Sequence, residues 1–146
     1  MRQIETTTVI DASPDDVWAV LMDTARYSEW NPFIKRMNGQ IALGQRLDIE
    51  VCPPGGKGMR FRPRVTVLEE GRELRWLGSV GVPGIFDGSH AFRVEPSGRG
   101  TLFAHSETFT GLLVPFMSET LRRTRSGFEL MNRALRARVE EGASAA

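Results

Sequence analysis

The feature that most constrains this chain is a long segment near its carboxyl end that contains almost no helix-breaking residue. From Pro115 to Glu141 the exception is Gly127, a residue with low helix propensity. Mostly apolar residues recur there every three or four positions and form one stripe: Met117, Leu121, Thr124, Phe128, Met131, Leu135 and Val139. This spacing predicts a long amphipathic helix whose stripe has to be buried. Gly142 predicts the end of the helix, before a disordered tail at residues 143–146.

The segments before this helix show the alternating pattern of β-strands. The clearest runs from Arg46 to Cys52, where Leu47, Ile49 and Val51 alternate with polar residues, as expected for a strand with one dry face. We also expect extended structure after Pro32. Turns rich in glycine and proline separate the remaining predicted strands, which lie at residues 3–10, 61–67, 73–80, 85–95 and 101–109.

Helix signals are concentrated just after the first predicted strand. Ser13 is a favourable N-cap residue and Pro14 suits the first helical position. The helix that they start is expected to end near Thr24, and a second short helical turn is expected around Tyr27 to Glu29.

These elements together predict an α+β fold. A strongly curved antiparallel sheet of about seven strands is expected to wrap around the long C-terminal helix, because no other element is large enough to cover its inner face. One or two short helices follow strand 1. The 146 residues correspond to about one domain, which we assign to residues 1–142.

Composition and charge argue against several classes of protein. The chain has 19 Lys and Arg against 18 Asp and Glu, so its net charge gives no reason to expect a nucleic-acid partner. The longest apolar stretch, Leu112 to Met117, is too short to span a bilayer. Met1 to Glu5 lack the apolar region of a secretory signal, so we expect a cytoplasmic protein. The single Cys52 excludes an internal disulfide and zinc or iron–sulfur sites built from clustered cysteines. We expect no cofactor, and the sequence leaves the oligomeric state open.

Four motifs give the chain a family resemblance over nearly its whole length. They are IDASPDDVWAVL (Ile10 to Leu21), YSEWNPF (Tyr27 to Phe33), FDGSHAF (Phe86 to Phe92) and HSETFTG (His105 to Gly111). In these motifs the sequence resembles the helix-grip superfamily of START and birch-pollen-allergen-like (SRPBCC) domains, in particular its polyketide cyclase/dehydrase branch. The resemblance implies a hydrophobic pocket between the sheet and the terminal helix. Across the superfamily such pockets are used for lipids, sterols, polyketides, plant hormones or quinones.

Candidate ligand-binding residues follow from the resemblance and from the aromatic pattern. By resemblance, Trp30, Asn31 and Phe33 lie at the pocket mouth, where Trp30 offers a flat wall and Asn31 a polar group; capping and core packing are the alternative for them. Further apolar residues that can line an aromatic cavity, or simply form the core, are Trp76, Phe86, Phe92, Phe103, Phe109, Phe128 and Met131.

Two histidines and one carboxylate are the candidates for chemistry. The predicted hairpin over residues 85–109 places His90 opposite either His105 or Glu107, depending on register, if all three face inward. A histidine paired with a carboxylate can act as a general base near neutral pH, so we take these three as candidate catalytic residues. A structural polar pair that closes the sheet or orients a ligand is one alternative. A two-histidine, one-carboxylate metal site is the other, but no further ligand cluster supports it, and we assign no metal.

Three functions are compatible with these observations. The leading hypothesis is binding of a small hydrophobic molecule, either lipid-, polyketide- or aromatic-like, between the sheet and the C-terminal helix. The second is a polyketide cyclase or dehydratase type of enzyme with a His/Glu acid–base pair. The third is a ligand-free protein-interaction or stress-related module. Whether the protein is an enzyme at all is left open by the sequence.

Overall fold

The structure, a computed structural model, describes residues 1–145. Within them it has eight strands: β1 (Arg2–Ile10), β2 (Ile34–Asn38), β3 (Asp48–Val51), β4 (Met59–Phe61), β5 (Arg64–Glu69), β6 (Glu73–Ser79), β7 (Asp87–Ser97) and β8 (Gly100–Thr110). Helix α1 (Pro14–Met22), a 3-10 turn (Thr24–Arg26) and α2 (Tyr27–Trp30) lie between β1 and β2. A second 3-10 turn (Val114–Phe116) precedes the long helix α3 (Ser118–Ala145). The predicted α+β class is therefore confirmed.

The strands form two antiparallel groups. The larger sheet has the order β1-β8-β7-β6-β5, and the smaller one has the order β2-β3-β4. The predicted strand over residues 61–67 is in fact two strands, which raises the count from about seven to eight. Pro63 separates them, because proline cannot donate a hydrogen bond to a strand ladder. The chain passes from the small sheet to the large one at this residue, and a bridge between Arg46 and Arg64 connects the two groups.

Helix α1 begins where the sequence predicts. The Ser13 side chain accepts a hydrogen bond from the backbone N–H of Asp16, and Pro14 occupies the first helical position. The first N–H groups of a helix have no partner inside it. The Ser13 side chain accepts from one of them, and Pro14 has no N–H group that would need a partner. Asn31 ends α2 with an extended backbone, as expected for a residue that precedes proline.

Helix α3 buries the predicted stripe against the sheet. Leu121, Phe128, Met131, Leu135 and Val139 are all at most 3% exposed. The prediction that Gly142 ends the helix is wrong, because α3 continues to Ala145. Gly142 does not take the positive φ of a terminating glycine, and Ala143 still packs against the core. Residue 146, in the predicted tail, lies outside the described residues.

Gly127 has a packing role in the middle of α3. A β-carbon placed there would lie 2.3 Å from Cδ1 of Phe33. The Phe33 ring therefore packs directly on the helix backbone, 5.5 Å from the ring of Phe128. This contact holds the start of β2 against the helix. No helix within residues 1–145 is long and apolar enough to cross a membrane.

Candidate ligand-binding site

An apolar cavity lies between the two sheets and the first turns of α3. It holds about 700 Å³ of empty space when its open mouth is included. The walls come from β2, β3 and β4 on one side, from β6, β7 and β8 on the other, and from Thr120 and Thr124 of α3. Such a concave, mostly apolar space with a few polar groups is typical of small-molecule sites.

Four of the predicted ligand-binding residues line this cavity. They are Phe33, Trp76, Phe86 and Phe109. Phe86, just before β7, and Phe109, on β8, stack in parallel with ring centroids 5.5 Å apart. The Trp76 indole stacks on the imidazole of His90 at 4.2 Å, with only 12° between the planes. Flat ring surfaces therefore form much of the wall next to the polar groups.

Four other predicted residues are core rather than wall. Phe92, Phe103, Phe128 and Met131 are fully buried and are not among the residues that line the cavity. They lie deeper between the sheet and α3, on the same faces as the lining residues. The periodicity of a strand or helix assigns a face, and it does not separate core residues from cavity walls along that face.

The two remaining predicted residues lie away from the cavity. Asn31 is buried, and its Oδ1 accepts hydrogen bonds from the backbone N–H groups of Phe33 and Ile34. This arrangement is the capping alternative considered from the sequence. The ring of Trp30 packs edge-on against Tyr27 and lines a separate surface groove with Arg26 and Arg138.

Several lining residues were missed by sequence reasoning. The small sheet contributes Ile49, Val51, Met59 and Phe61, and the following segment contributes Pro63. The alternation of Ile49 and Val51 predicted a dry face, but nothing in the sequence showed that this face closes a cavity. The small sheet is brought against the large sheet by contacts between segments distant in the chain, so this wall becomes visible only in the structure.

The strand register brings the two histidines into direct contact. His90 pairs with Glu107 across β7 and β8, and Phe92 pairs with His105. The three candidate residues face inward, which was the condition for a shared site, but the hydrogen bond is between the imidazoles, with Nε2 of His90 2.7 Å from Nε2 of His105. None of the ring nitrogens bonds to Glu107 within residues 1–145. The same residues contain no group of three side chains that could hold a metal ion.

A chain of hydrogen bonds determines which nitrogen carries each proton. The Thr6 hydroxyl donates to the backbone carbonyl of His105, so it accepts from Nδ2 of Asn132. Asn132 then presents Oδ1 to Nδ1 of His105 at 3.0 Å. A neutral His105 therefore holds its proton on Nδ1 and accepts at Nε2, which requires His90 to donate from Nε2. The remaining Nδ1 of His90 is an acceptor, buried and without a partner among the described residues.

Burial keeps both histidines neutral. Loss of solvation lowers the pKa of His105 to about 3, against an opposing effect of its hydrogen bond to Asn132. Burial also lowers the pKa of His90 well below the usual value, helped by the neighbouring His105 and Arg75. Both rings therefore act as uncharged hydrogen-bonding groups at neutral pH.

Glu107 is the polar group that opens on the cavity. Its side chain is half-buried and lines the space beside His90. The accessible part of the carboxyl faces the cavity rather than bulk water, so loss of solvation raises its pKa to about 8. At neutral pH the carboxyl is mostly protonated and can donate a hydrogen bond.

An antiparallel sheet that packs around a long C-terminal helix, with an apolar cavity between them, defines the helix-grip class of proteins. Residues 1–140 match the family model described as polyketide cyclase / dehydrase and lipid transport. The chain belongs to this family. No curated protein matches the chain significantly.

Solved structures with low sequence identity share the fold. A START superfamily protein from Mycobacterium smegmatis is 23% identical, with a TM-score of 0.72 over 95% of this chain and 97% of that protein. Ara h 8.0201 is 16% identical, with a TM-score of 0.71 over 94% and 97% of the two chains. The di-domain ARO/CYC StfQ from the steffimycin biosynthetic pathway is 16% identical, with a TM-score of 0.73 over 99% of this chain and 52% of that one. At these low sequence identities the similarity shows that the fold is shared and carries no further conclusion.

Proposed function

We propose that the protein binds a small hydrophobic molecule in the cavity between its two sheets and α3. The observation that carries this proposal is the composition of the wall, in which rings and aliphatic side chains surround a few polar groups: the carboxyls of Asp87 and Glu107, the imidazole of His90 and the hydroxyls of Ser79, Thr120 and Thr124. A wall of this kind favours an apolar molecule that has one polar end. Family membership and the START and ARO/CYC neighbours support the same proposal.

The dimensions of the cavity limit the ligand. The empty space of about 700 Å³ includes the open mouth, so the part enclosed by the two sheets and α3 is smaller. We expect a compact ring system to occupy that part and a larger molecule to extend through the mouth. Met59 and Val80 are the large apolar residues of the lining that remain exposed. The loop after Val80 is held by the segment after β8, where the N–H groups of Leu112 and Leu113 donate to the carbonyls of Gly84 and Ile85.

A cyclase or dehydratase activity is less well supported by the geometry. A general base has to reach the proton that it removes. The free acceptor of His90, Nδ1, is sealed from the cavity space, and its Nε2 is engaged by His105. Glu107 is also not hydrogen-bonded to either imidazole. We therefore place binding ahead of catalysis.

Native mass spectrometry of the purified protein, followed by denaturing extraction, tests the proposal directly. We expect a small apolar compound of defined mass to accompany the protein, or, after delipidation, saturable binding of the uncharged fluorescent probe N-phenyl-1-naphthylamine. Val51 lines the cavity, so Val51→Phe fills part of the space and should weaken probe binding at least ten-fold.

A matched substitution separates occupancy of the cavity from a general effect of an added ring. Val9→Phe introduces the same ring at an exposed position of β1 and should leave probe affinity unchanged. Thermal unfolding of both variants confirms that each is folded. A delipidated protein that carries no compound and binds no probe would refute the binding function and favour an interaction module.

A further inference from the structure

Glu107 has an environment that requires explanation. It lies on β8 directly opposite His90, and its Oε2 lies over the backbone of Gly88. A β-carbon at position 88 would come within 2.2 Å of that oxygen. Gly88 therefore provides the space in which the carboxyl sits, at the inner wall of the cavity.

Within residues 1–145 the Glu107 carboxyl has no hydrogen-bond partner. Nε2 of each histidine is bonded to the other ring and Nδ1 of His105 to Asn132, while Nδ1 of His90 is buried and without a partner in the same residues. Loss of solvation is the cause of the raised pKa of Glu107, about 8. A polar group at an apolar wall is costly unless it finds a partner. The missing partner therefore has to come from the contents of the cavity, which are water or a ligand.

The groups around Glu107 define the charge of a suitable partner. His90 lies opposite it on β7, His105 lies two residues away on its own strand, and Thr120 and Thr124 line the space from α3 without charge. Asp87, at the start of β7, is a second acidic residue of the lining. No Lys or Arg is among the cavity-lining residues within 1–145. An anionic headgroup would meet no cation there, whereas a protonated carboxyl donates readily to a neutral oxygen.

We propose that the Glu107 carboxyl is the polar anchor of the cavity and that it donates a hydrogen bond to an uncharged oxygen of the bound molecule, of the carbonyl class. This inference rests on the proposed binding function and specifies its ligand class. The ligand is an apolar ketone, aldehyde or ester whose oxygen lies beside His90, and not a fatty acid anion or an organic cation.

Two isosteric probes test the anchor. Acetophenone and α-methylstyrene have nearly the same shape and differ in a C=O against a C=CH₂ group. We expect the wild-type protein to bind acetophenone about two- to twelve-fold more tightly at pH 6.5, the range for one net hydrogen bond of about 0.5–1.5 kcal/mol. Above pH 9 the carboxyl is ionised and cannot donate, so the preference should disappear. Heteronuclear NMR titration gives both dissociation constants.

Variants of Glu107 separate hydrogen-bond donation from shape. Glu107→Gln keeps a donor that does not titrate, so the preference for acetophenone should persist at both pH values. Glu107→Leu removes the donor, so the preference should be lost at both. Glu95→Gln, at an exposed position of β7, is the control and should behave as wild type. Thermal unfolding verifies that every variant is folded.

The possible outcomes distinguish this inference from the proposed function. Tight binding of both probes with no preference, or a preference that survives in Glu107→Leu, overturns the anchor and leaves the binding function intact. Binding of benzylamine that strengthens as the pH rises overturns the neutral class in favour of an ammonium ligand. If neither acetophenone nor α-methylstyrene binds, and N-phenyl-1-naphthylamine does not bind either, the binding function itself is refuted.

Discussion

The imidazoles of His90 and His105 meet edge to face in the core, with their Nε2 atoms 2.7 Å apart and 78° between their planes. One neutral histidine thus donates to another. The direction of this bond is set at a distance, by the hydrogen bonds that run from the Thr6 hydroxyl through Asn132 to His105.

Asn132→Leu should break this chain. The substitution leaves the Nδ1 proton of His105 without its acceptor inside the core, which costs about 1–3 kcal/mol of unfolding free energy. The wild-type rings should carry protons on Nδ1 of His105 and on Nε2 of His90, and these positions should no longer be fixed in the variant. Urea unfolding measures the first effect, and long-range ¹H–¹⁵N NMR of the ring nitrogens measures the second. Asn38→Leu, at an exposed site, is the control; equal stability of the two variants would contradict the chain.

Gly127→Ala and Gly142→Ala should have opposite effects, although both glycines lie in α3. A β-carbon at position 127 collides with the Phe33 ring, whereas nothing lies within 4 Å of one at position 142. We expect Gly127→Ala to destabilise by about 1–3 kcal/mol through overpacking. Gly142→Ala should stabilise by up to about 1 kcal/mol, less any effect of its position near the helix end. Denaturant midpoints at constant slope measure both changes. Restored stability in Phe33→Leu/Gly127→Ala would verify that Phe33 is the cause.

The pH dependence of stability should have a maximum near pH 6.5. Both histidines have lowered pKa values in the folded protein, so their contribution to stability is lost as the pH falls below their ordinary value of 6.5. Glu107 has a raised pKa of about 8 against an ordinary 4.5, so its contribution is full below pH 4.5 and declines as the pH rises to 8. Each proton changes the unfolding free energy by about 1.4 kcal/mol per pH unit.

As the pH rises from 4.5 to 6.5, the two histidines contribute more to the unfolding free energy and Glu107 contributes less. The three groups together should therefore raise the unfolding free energy by about 1.4 kcal/mol per pH unit in this range. Between pH 6.5 and 8 Glu107 acts alone and should lower it by a similar amount. Urea unfolding across this range measures the curve. Glu107→Gln should abolish the alkaline decline and roughly double the rise between pH 4.5 and 6.5, because the two histidines then act unopposed. An alkaline decline that persists in this variant would assign the effect to other groups.

Tyr27→Phe should destabilise the segment that leads into the small sheet. The buried Tyr27 hydroxyl donates to the backbone carbonyl of Leu21 at 2.7 Å, one of the carbonyls in the last turn of α1 that lack a partner inside the helix. Its removal leaves that carbonyl buried and unpaired, at a cost of about 1–3 kcal/mol. Thermal and urea unfolding measure the loss. Ser28→Ala, at the exposed neighbouring position, should remain within about 0.5 kcal/mol of wild type.

The sequence by itself determined the elements and their inward faces. The stripe on α3 and the alternation of Phe103, His105, Glu107 and Phe109 on β8 are local patterns, because each depends only on the repeat of a helix or a strand. The Ser13 cap and the break at Asn31 and Pro32 are likewise set by neighbouring residues. These patterns were sufficient for the fold class, whereas the inward direction of His105 and Glu107 depended on a strand register that the sequence left open.

Only the tertiary structure decided what those residues do. Two strand registers remained possible from the sequence, and the structure has the one that places His90 opposite Glu107. Side-chain packing nevertheless joins His90 to His105 by a hydrogen bond. Asn132 and Thr6, which fix the protons, lie 126 positions apart, and no local pattern links them. The division between cavity wall and solid core also depends on how the small sheet approaches α3 across Phe33 and Gly127. Contacts between segments distant in the chain are set by packing of the whole molecule, and a repeat of two or 3.6 residues carries no information about them.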